Sequence, residues 1–410
     1  VSTRKSKTVF FVIEGLNALA VTYFTSYVFF LLRDRFGFGN IGNLSVSALG
    51  GLVYLLAAWQ GGRFAQHFGY LTSLKTGFGG LALCLAIGML SPALPAVLLV
   101  YVGSMATVCF TWPALEALVS EGVGDEVLPR NIGIYNMVWS AGSASIYFVG
   151  GTLYETLGHQ SIFWLPALIH SGVFVTVVYL GKVSAHDTRP RPALAASIAA
   201  ELADASPAVS PETFLRMVWI AIPFSYIGIT TVIAIIPALA NTLGLSTAQA
   251  GLFCSIWMFV RLGTFVVLWQ WTGWHYRFRW LLMALVGLTV GFGLMLLSTN
   301  LGLLLAAQLV FGVSIGLIYY SSLFYSMDVG ETKGEHGGFH EAMIGAGMCL
   351  GPAVGALSLG LAPGSQNAGA YTVTALLACG LAGILTIRMR APSVRPSVAS
   401  AVGEITTSGR

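Results

Sequence analysis

The sequence predicts an all-α integral membrane protein, with twelve transmembrane helices in two pseudo-symmetric six-helix bundles. Three observations lead there. Of the 410 residues, 56% are hydrophobic and 9% are Asp, Glu, Lys or Arg, and the mean hydropathy is +0.80. Water could not solvate the surface of such a chain, whereas a bilayer can. The apolar residues come in runs of about 20, the length that crosses a hydrocarbon core with every backbone group bonded internally. The chain also repeats at half its length, an offset of 205 residues (338 minus 133). Gly133, Ala141, Gly142, Val149 and Gly150 fall on Gly338, Ala346, Gly347, Val354 and Gly355. Two halves related by an axis along the membrane normal would leave this mark.

The first helix, at 9–32, follows Arg4, Lys5 and Lys7. Basic residues before an apolar run resemble a signal peptide. This run is too long for one and has no small-residue cleavage site, so it reads as a retained helix. Helices at 41–60, 71–90, 95–120, 130–154 and 161–181 complete the first half. Residues 183–212 are rich in Ala, Pro and Ser and carry Asp187, Arg189, Arg191, Glu201 and Asp204. They read as a linker, with a short surface helix at 195–203. The second half has helices at 213–240, 247–270, 280–298, 301–327, 336–361 and 369–388. The expected organisation is a bundle over 1–182, the linker 183–212, a bundle over 213–390 and a tail over 391–410.

The loops fix an orientation. Connections after helices 3, 7, 9 and 11 are short and uncharged, while those after helices 2, 4, 6, 8 and 10 carry nearly all the charge. Of 20 basic residues, Arg33 and Arg35 lie on one side, Arg261 lies within a helix, and the other 17 share a side with both termini. The positive-inside rule makes that side the cytoplasm, and the expected location is a bacterial inner (plasma) membrane. The net charge of +4 is too small and scattered for nucleic acid. The five cysteines lie far apart in apolar segments without CxxC spacing, so neither a disulfide framework nor a zinc site is expected. The 49 glycines suit close packing of membrane helices.

Local motifs carry a resemblance. Gly62-Arg63-Phe64-Ala65-Gln66-His67-Phe68-Gly69-Tyr70-Leu71 keeps both glycines and the alanine of the pattern G-x-L-A-D-R-x-G-R-R. Together with the topology it resembles the major facilitator superfamily, whose loop after helix 2 reads that way. In that family the acid of the loop docks on the start of helix 11. Gln66 replaces it here and keeps an oxygen that accepts a hydrogen bond. The exporter pattern G-x-x-x-G-P-x-x-G-G of helix 5 is only partly present in Gly142, Ile146, Tyr147, Gly150 and Gly151. Helix 11 matches it more closely with Gly347, Gly351, Pro352 and Gly355. The family's usual helix-4 arginine is missing from 104–115. The resemblance implies a secondary transporter in which two halves rock about a midplane site.

Charge inside a membrane helix costs about 2.5–3.5 kcal/mol or more at the bilayer centre, so each case points to a function or a partner. Arg261 follows Phe253-Cys254-Ser255-Ile256-Trp257-Met258-Phe259-Val260 and lies roughly 15 Å deep. A guanidinium there can grip a carboxylate or phosphate bidentately, or pair with a buried acid. The resemblance implies that helix 8 lines the cavity and that an arginine there anchors anions, as in monocarboxylate carriers. Glu14, with Asn17 on the same face at i+3, is the first candidate for proton coupling. The plainer reading is an ion pair with the N-terminal basic cluster. Glu116 is expected to pair with Arg63 or Arg130 in an inner gate, with coupling as the alternative.

His340 and Glu341 open helix 11 and are candidates for gating or proton linkage. His336 and His340 are four apart, which permits a two-histidine metal pair. An HExxH site would need His at 344, where Ile344 stands, and no metal or cofactor is expected. Glu335, near the helix N-terminus, is explained by the dipole. Tyr319, Tyr320, Asn136, Trp139, Tyr226 and Trp257 suggest an aromatic substrate site, with Gln308 further out. His170 reads as a satisfied packing histidine, and Pro223 and Pro237 as points of flexure in helix 7.

The expected function is a secondary transporter of a small organic solute, anionic and proton-coupled, working by alternating access. The alternative is a proton-coupled exporter of lipophilic or cationic compounds. No P-loop, nucleophile elbow or metal motif is present, so no enzyme activity is expected. The expected partners are a small-molecule substrate, protons and the lipid bilayer; one chain contains a complete two-half path, so a monomer suffices.

Overall fold

The structure is a computed structural model and describes residues 3–91, 93–122, 127–184, 210–298, 300–329 and 333–390. The surface helix expected at 195–203, most of the linker and the tail lie outside the described residues. Among the described residues every regular element is a helix. The first half contains α1 (Thr3–Phe36), α2 (Asn40–Phe68), α3 (Tyr70–Leu90), α4 (Leu94–Val108), α5 (Trp112–Ser120), α6 (Leu128–Leu157) and α7 (Ser161–Ser184). The second contains α8 (Pro211–Thr242), α9 (Thr247–Cys254), α10 (Ile256–Gln270), α11 (Phe278–Leu297), α12 (Leu301–Val329), α13 (Lys333–Leu361) and α14 (Ala368–Arg390).

The predicted helix 95–120 is interrupted at Cys109–Thr111, and 247–270 is interrupted at Ser255. Pro113 has no N–H and helps start a new helix, and tight turns close the gap: Phe110 N donates to Thr107 O at 3.1 Å and Thr111 N to Val108 O at 2.8 Å. Each interrupted pair still crosses as one span, over Leu94–Ser120 and Thr247–Gln270. Among the described residues, eleven helical spans are long and apolar enough to cross a membrane. The twelfth, α6, is long enough but diluted by Asn131, Asn136, Ser140, Ser143 and several glycines. The outward surface is apolar, with Leu56, Leu83, Leu99, Leu168, Val175 and Leu357 all exposed. Without lipid around it, this surface would be an aggregation liability.

The repeat has a structural meaning. A Cβ on Gly142 would stand 2.7 Å from Gly15 O, where α6 crosses α1; one on its repeat mate Gly347 would stand 2.1 Å from Pro223 O, where α13 crosses α8. The same crossing occurs once in each half, and both need a residue without a side chain. Between the halves, α2 packs along α13 and α6 along α9 and α10. At the end of the bundle that holds most of the basic residues, the basic end, a Cβ on Gly62 would stand 2.5 Å from Gly338 Cα. At the opposite end Asn43 Nδ2 donates to Ala234 O at 3.2 Å, Ala248 N to Glu155 Oε1 at 2.9 Å, and Arg33 to Pro237 O. The halves therefore touch on both sides of the centre.

Candidate functional site

Between the halves lies a cavity of about 150 Å³, lined from both. Arg261 lines it from α10. Its guanidinium lies 4.4 Å from the centre of the Trp139 ring and 5.2 Å from that of Trp257. Both rings also line the cavity, so the cation is held between two π faces. Arg261 is 4% exposed and its Nε has no partner; among the described residues, Tyr226 and Tyr319 are the ionisable groups beside its charge. No carboxylate accompanies it among the described residues.

Glu14 faces the same cavity from α1. Its carboxylate accepts a hydrogen bond from Trp112 Nε1 at 3.1 Å and from Asn17 Nδ2 at 3.5 Å. Asn17 also donates to Thr111 Oγ1 at 3.2 Å, which ties α1 to the break before α5. The expected pairing of Glu14 with the N-terminal basic cluster rests on Arg4 and Lys5, whose side chains lie outside the described residues, and on Lys7. Among the described side chains, Lys7 instead donates to Val119 O at 2.8 Å and Glu121 O at 3.1 Å at the end of α5. A cation near a helix C-terminus is favourable, and these carbonyls lack helical partners.

Glu116 does not meet Arg63 or Arg130 as expected. Arg63 lies over the Trp59 ring at 5.7 Å and Arg130 is exposed. The α5–α13 packing turns Glu116 towards the other half, to His340 and Glu341. Ligand atoms of the three lie within 4.8 Å of one another, all buried. Tyr54 donates to Glu341 Oε2 from α2, and Ser322 Oγ is 3.0 Å from His340 Nδ1. Among the described residues His340 Nε2 and both Glu116 oxygens have no hydrogen-bond partner beyond the cluster, and no Lys or Arg acts on either carboxylate. Two carboxyl groups this close can share a proton. The same three groups are the residues best placed to receive a metal ion. His336 is not among them, because it packs against Trp219 at 5.9 Å.

The aromatic candidates divide. Tyr226, Tyr319, Trp139 and Trp257 line the cavity; Tyr320, Asn136 and Asn17 do not. Tyr320 packs on Phe265 and Trp274, and Asn136 Oδ1 accepts from Trp139 Nε1 at 3.1 Å and so orients that ring. Gln308 is buried away from the cavity. His170 stacks on Phe78 at 6.0 Å as a packing residue, but both ring nitrogens lack partners, which corrects its reading as satisfied. Sequence reasoning missed Tyr54 and Trp112. Each touches an acid that it did single out, but a lone Tyr or Trp in an apolar run gives no sign of this.

The loop at Gly62–Leu71 reaches the start of α13. Gln66 Oε1 accepts from Gly334 N at 3.3 Å and from the Tyr70 hydroxyl at 3.1 Å. An amide oxygen thus docks on the first turn of α13, whose free N–H groups attract an acceptor.

The sequence matches the family model described as Major Facilitator Superfamily over residues 10–356. No curated protein matches it. Among solved structures, the human organic anion transporter MFSD10 (TETRAN) is similar with a TM-score of 0.69 at 16% identity, over 94% of this chain and 100% of that one. A point mutant of the nucleoside transporter NupG is similar with a TM-score of 0.65 at 14% identity, over 93% and 99%. At these identities the likeness is one of fold.

Proposed function

We propose that this chain, which belongs to the Major Facilitator Superfamily, is a secondary transporter of a small organic anion. One observation carries the reading: Arg261 is a buried cation that lines the central cavity without a carboxylate partner. A buried charge left alone is costly. A substrate carboxylate or phosphate would supply the missing partner and accept from the guanidinium bidentately. Tyr226, Tyr319, Trp139 and Trp257 would enclose the body of the solute. The fold likeness to a human organic anion transporter is consistent with this class.

In this reading protons are the coupling ion. Glu341 lines the cavity and also meets Glu116 across the two halves, so a proton held there links the cavity to the gate. Glu14 is the second acid of the cavity. The basic end is the cytoplasmic one by the positive-inside rule. The exporter reading draws support from the two acids on the cavity wall, and the same experiment separates it from the favoured one.

Trp112, Trp139 and Trp257 report on the cavity. Tryptophan fluorescence should therefore be titrated with organic anions, neutral solutes and lipophilic cations, on wild type and Arg261→Gln. Saturation by anions, lost in the variant while its melting temperature holds, is the expected result. Saturation by cations alone, indifferent to Arg261→Gln, would overturn the anion reading.

A further inference from the structure

The cavity has a second ionisable group without a counter-ion among the described residues. Glu14 is 1% exposed and lines the same cavity as Arg261. Both of its oxygens are held by neutral donors, Asn17 and Trp112, and the Tyr135 hydroxyl reaches it as well. Among the described residues, the charged groups that act on it are Glu341 and Glu116, which have the same sign. Arg261 and Glu14 do not neutralise each other: neither is recorded within ion-pair distance of the other or among the charges acting on it. Tyr226 and Tyr319 stand beside Arg261 on the cavity wall, with ring centres 6.4 Å apart. Burying an isolated guanidinium is costly, while a carboxyl buried without a cation gives up its charge and regains it only when a cation is placed beside it. A ligand that brings both missing partners satisfies both.

We infer that the substrate is amphoteric. Its anionic group is held at Arg261, a cationic ammonium group is held at Glu14, and an apolar body lies between the aromatic walls. This rests on the anion reading above and adds the second end. The other acid is already engaged, because Glu341 is bonded by Tyr54 and faces Glu116 and His340. That leaves Glu14 free to recognise substrate while the Glu341–Glu116 pair handles the proton. The volume limits the body: a cavity of about 150 Å³ elsewhere holds one benzene ring. The solute class is therefore a single-ring or equally compact acid with an amine remote from its carboxylate.

The test uses four probes of one scaffold: 4-methylbenzoate, 4-(aminomethyl)benzoate, benzylamine and toluene. Each is titrated into purified wild type, Glu14→Gln, Glu14→Asp and Arg261→Gln, with fluorescence as the signal and thermal melting as the folding control. In wild type, 4-(aminomethyl)benzoate should bind at least about ten-fold more tightly than 4-methylbenzoate, the worth of one charge-assisted bond. Glu14→Gln should bring that ratio to about one, and Glu14→Asp should restore part of it. Arg261→Gln should weaken both carboxylates. A wild-type ratio near or below one, or a ratio that survives Glu14→Gln, overturns the inference and leaves the anion reading standing. Saturation by benzylamine alone overturns both. If none of the four saturates, the compact amphoteric class is wrong, and the wider panel still decides the anion reading.

Discussion

The charged residues of the centre have distinct roles. Arg261 was legible as an intramembrane charge, because its depth and residue type pointed to an anion. What the sequence could not hold was the absence of a carboxylate beside it, since that depends on how α10 is turned. Glu116 shows the reverse: its distance from the helix end suggested a gate pairing with Arg63 or Arg130, and tertiary packing turned it to Glu341 instead. A proton on that pair predicts a separable defect. Glu116→Gln and Glu341→Gln should abolish accumulation driven by a pH gradient in proteoliposomes, while substrate exchange without a gradient persists at more than about a tenth of the wild-type rate. Loss of exchange together with accumulation would contradict this division. His275, in the loop after α10, has a different pH signature. Burial lowers its pKa from 6.5 to about 4, so it stays neutral where the unfolded chain would be protonated. The unfolded state then binds more protons between about pH 6.5 and 4, so stability falls on acidification across that window and is unaffected above it. His275→Phe should flatten the drop in melting temperature there, measured by differential scanning fluorimetry.

At the level of elements, the long apolar runs were legible because a bilayer imposes length and composition together. The two interruptions were not. Pro113 is a sign of the break before α5, but prolines are tolerated inside membrane helices, as Pro166, Pro223, Pro237 and Pro352 show. The break at Ser255 has no proline at all; Ser255 Oγ donates to Leu252 O at 2.7 Å and Met258 N to Ser255 O at 3.0 Å. The first break sets Trp112 and Thr111 against the Glu14–Asn17 pair. Pro113→Ala should therefore leave the fold intact and weaken substrate binding several-fold through Trp112, read as a shift in the fluorescence midpoint. The contact of α2 with α13 makes a sharper prediction. A side chain on Gly62 has no room against Gly338. Gly62→Val should hold the basic end apart, so that the buried Cys109 is alkylated at least about ten-fold faster, resolved by peptide mass spectrometry. Unchanged labelling would mean that the helices part without consequence for the gate.

On the scale of the molecule, two similar bundles enclose one cavity, and contacts bridge them on both sides of it. The duplication was readable from glycines because a helix crossing without side chains repeats wherever the fold repeats, as Gly142 and Gly347 do. The lining was only half readable. Trp139, Tyr226, Trp257 and Tyr319 were named from their helices, whereas Tyr320, next in sequence to Tyr319, points into packing with Phe265 and Trp274. A rotation of about 100° per residue separates neighbours on a helix, and only the structure gives the phase. The central claim is that solute crosses with its anionic group on Arg261. The most direct measurement is uptake of a radiolabelled carboxylate, chosen by the fluorescence panel, into proteoliposomes with wild type, Arg261→Lys and Arg261→Gln. Saturable uptake that falls at least about 30-fold in Arg261→Gln, with Arg261→Lys between, is the predicted result. Uptake unchanged by Arg261→Gln in a protein that still folds would contradict it.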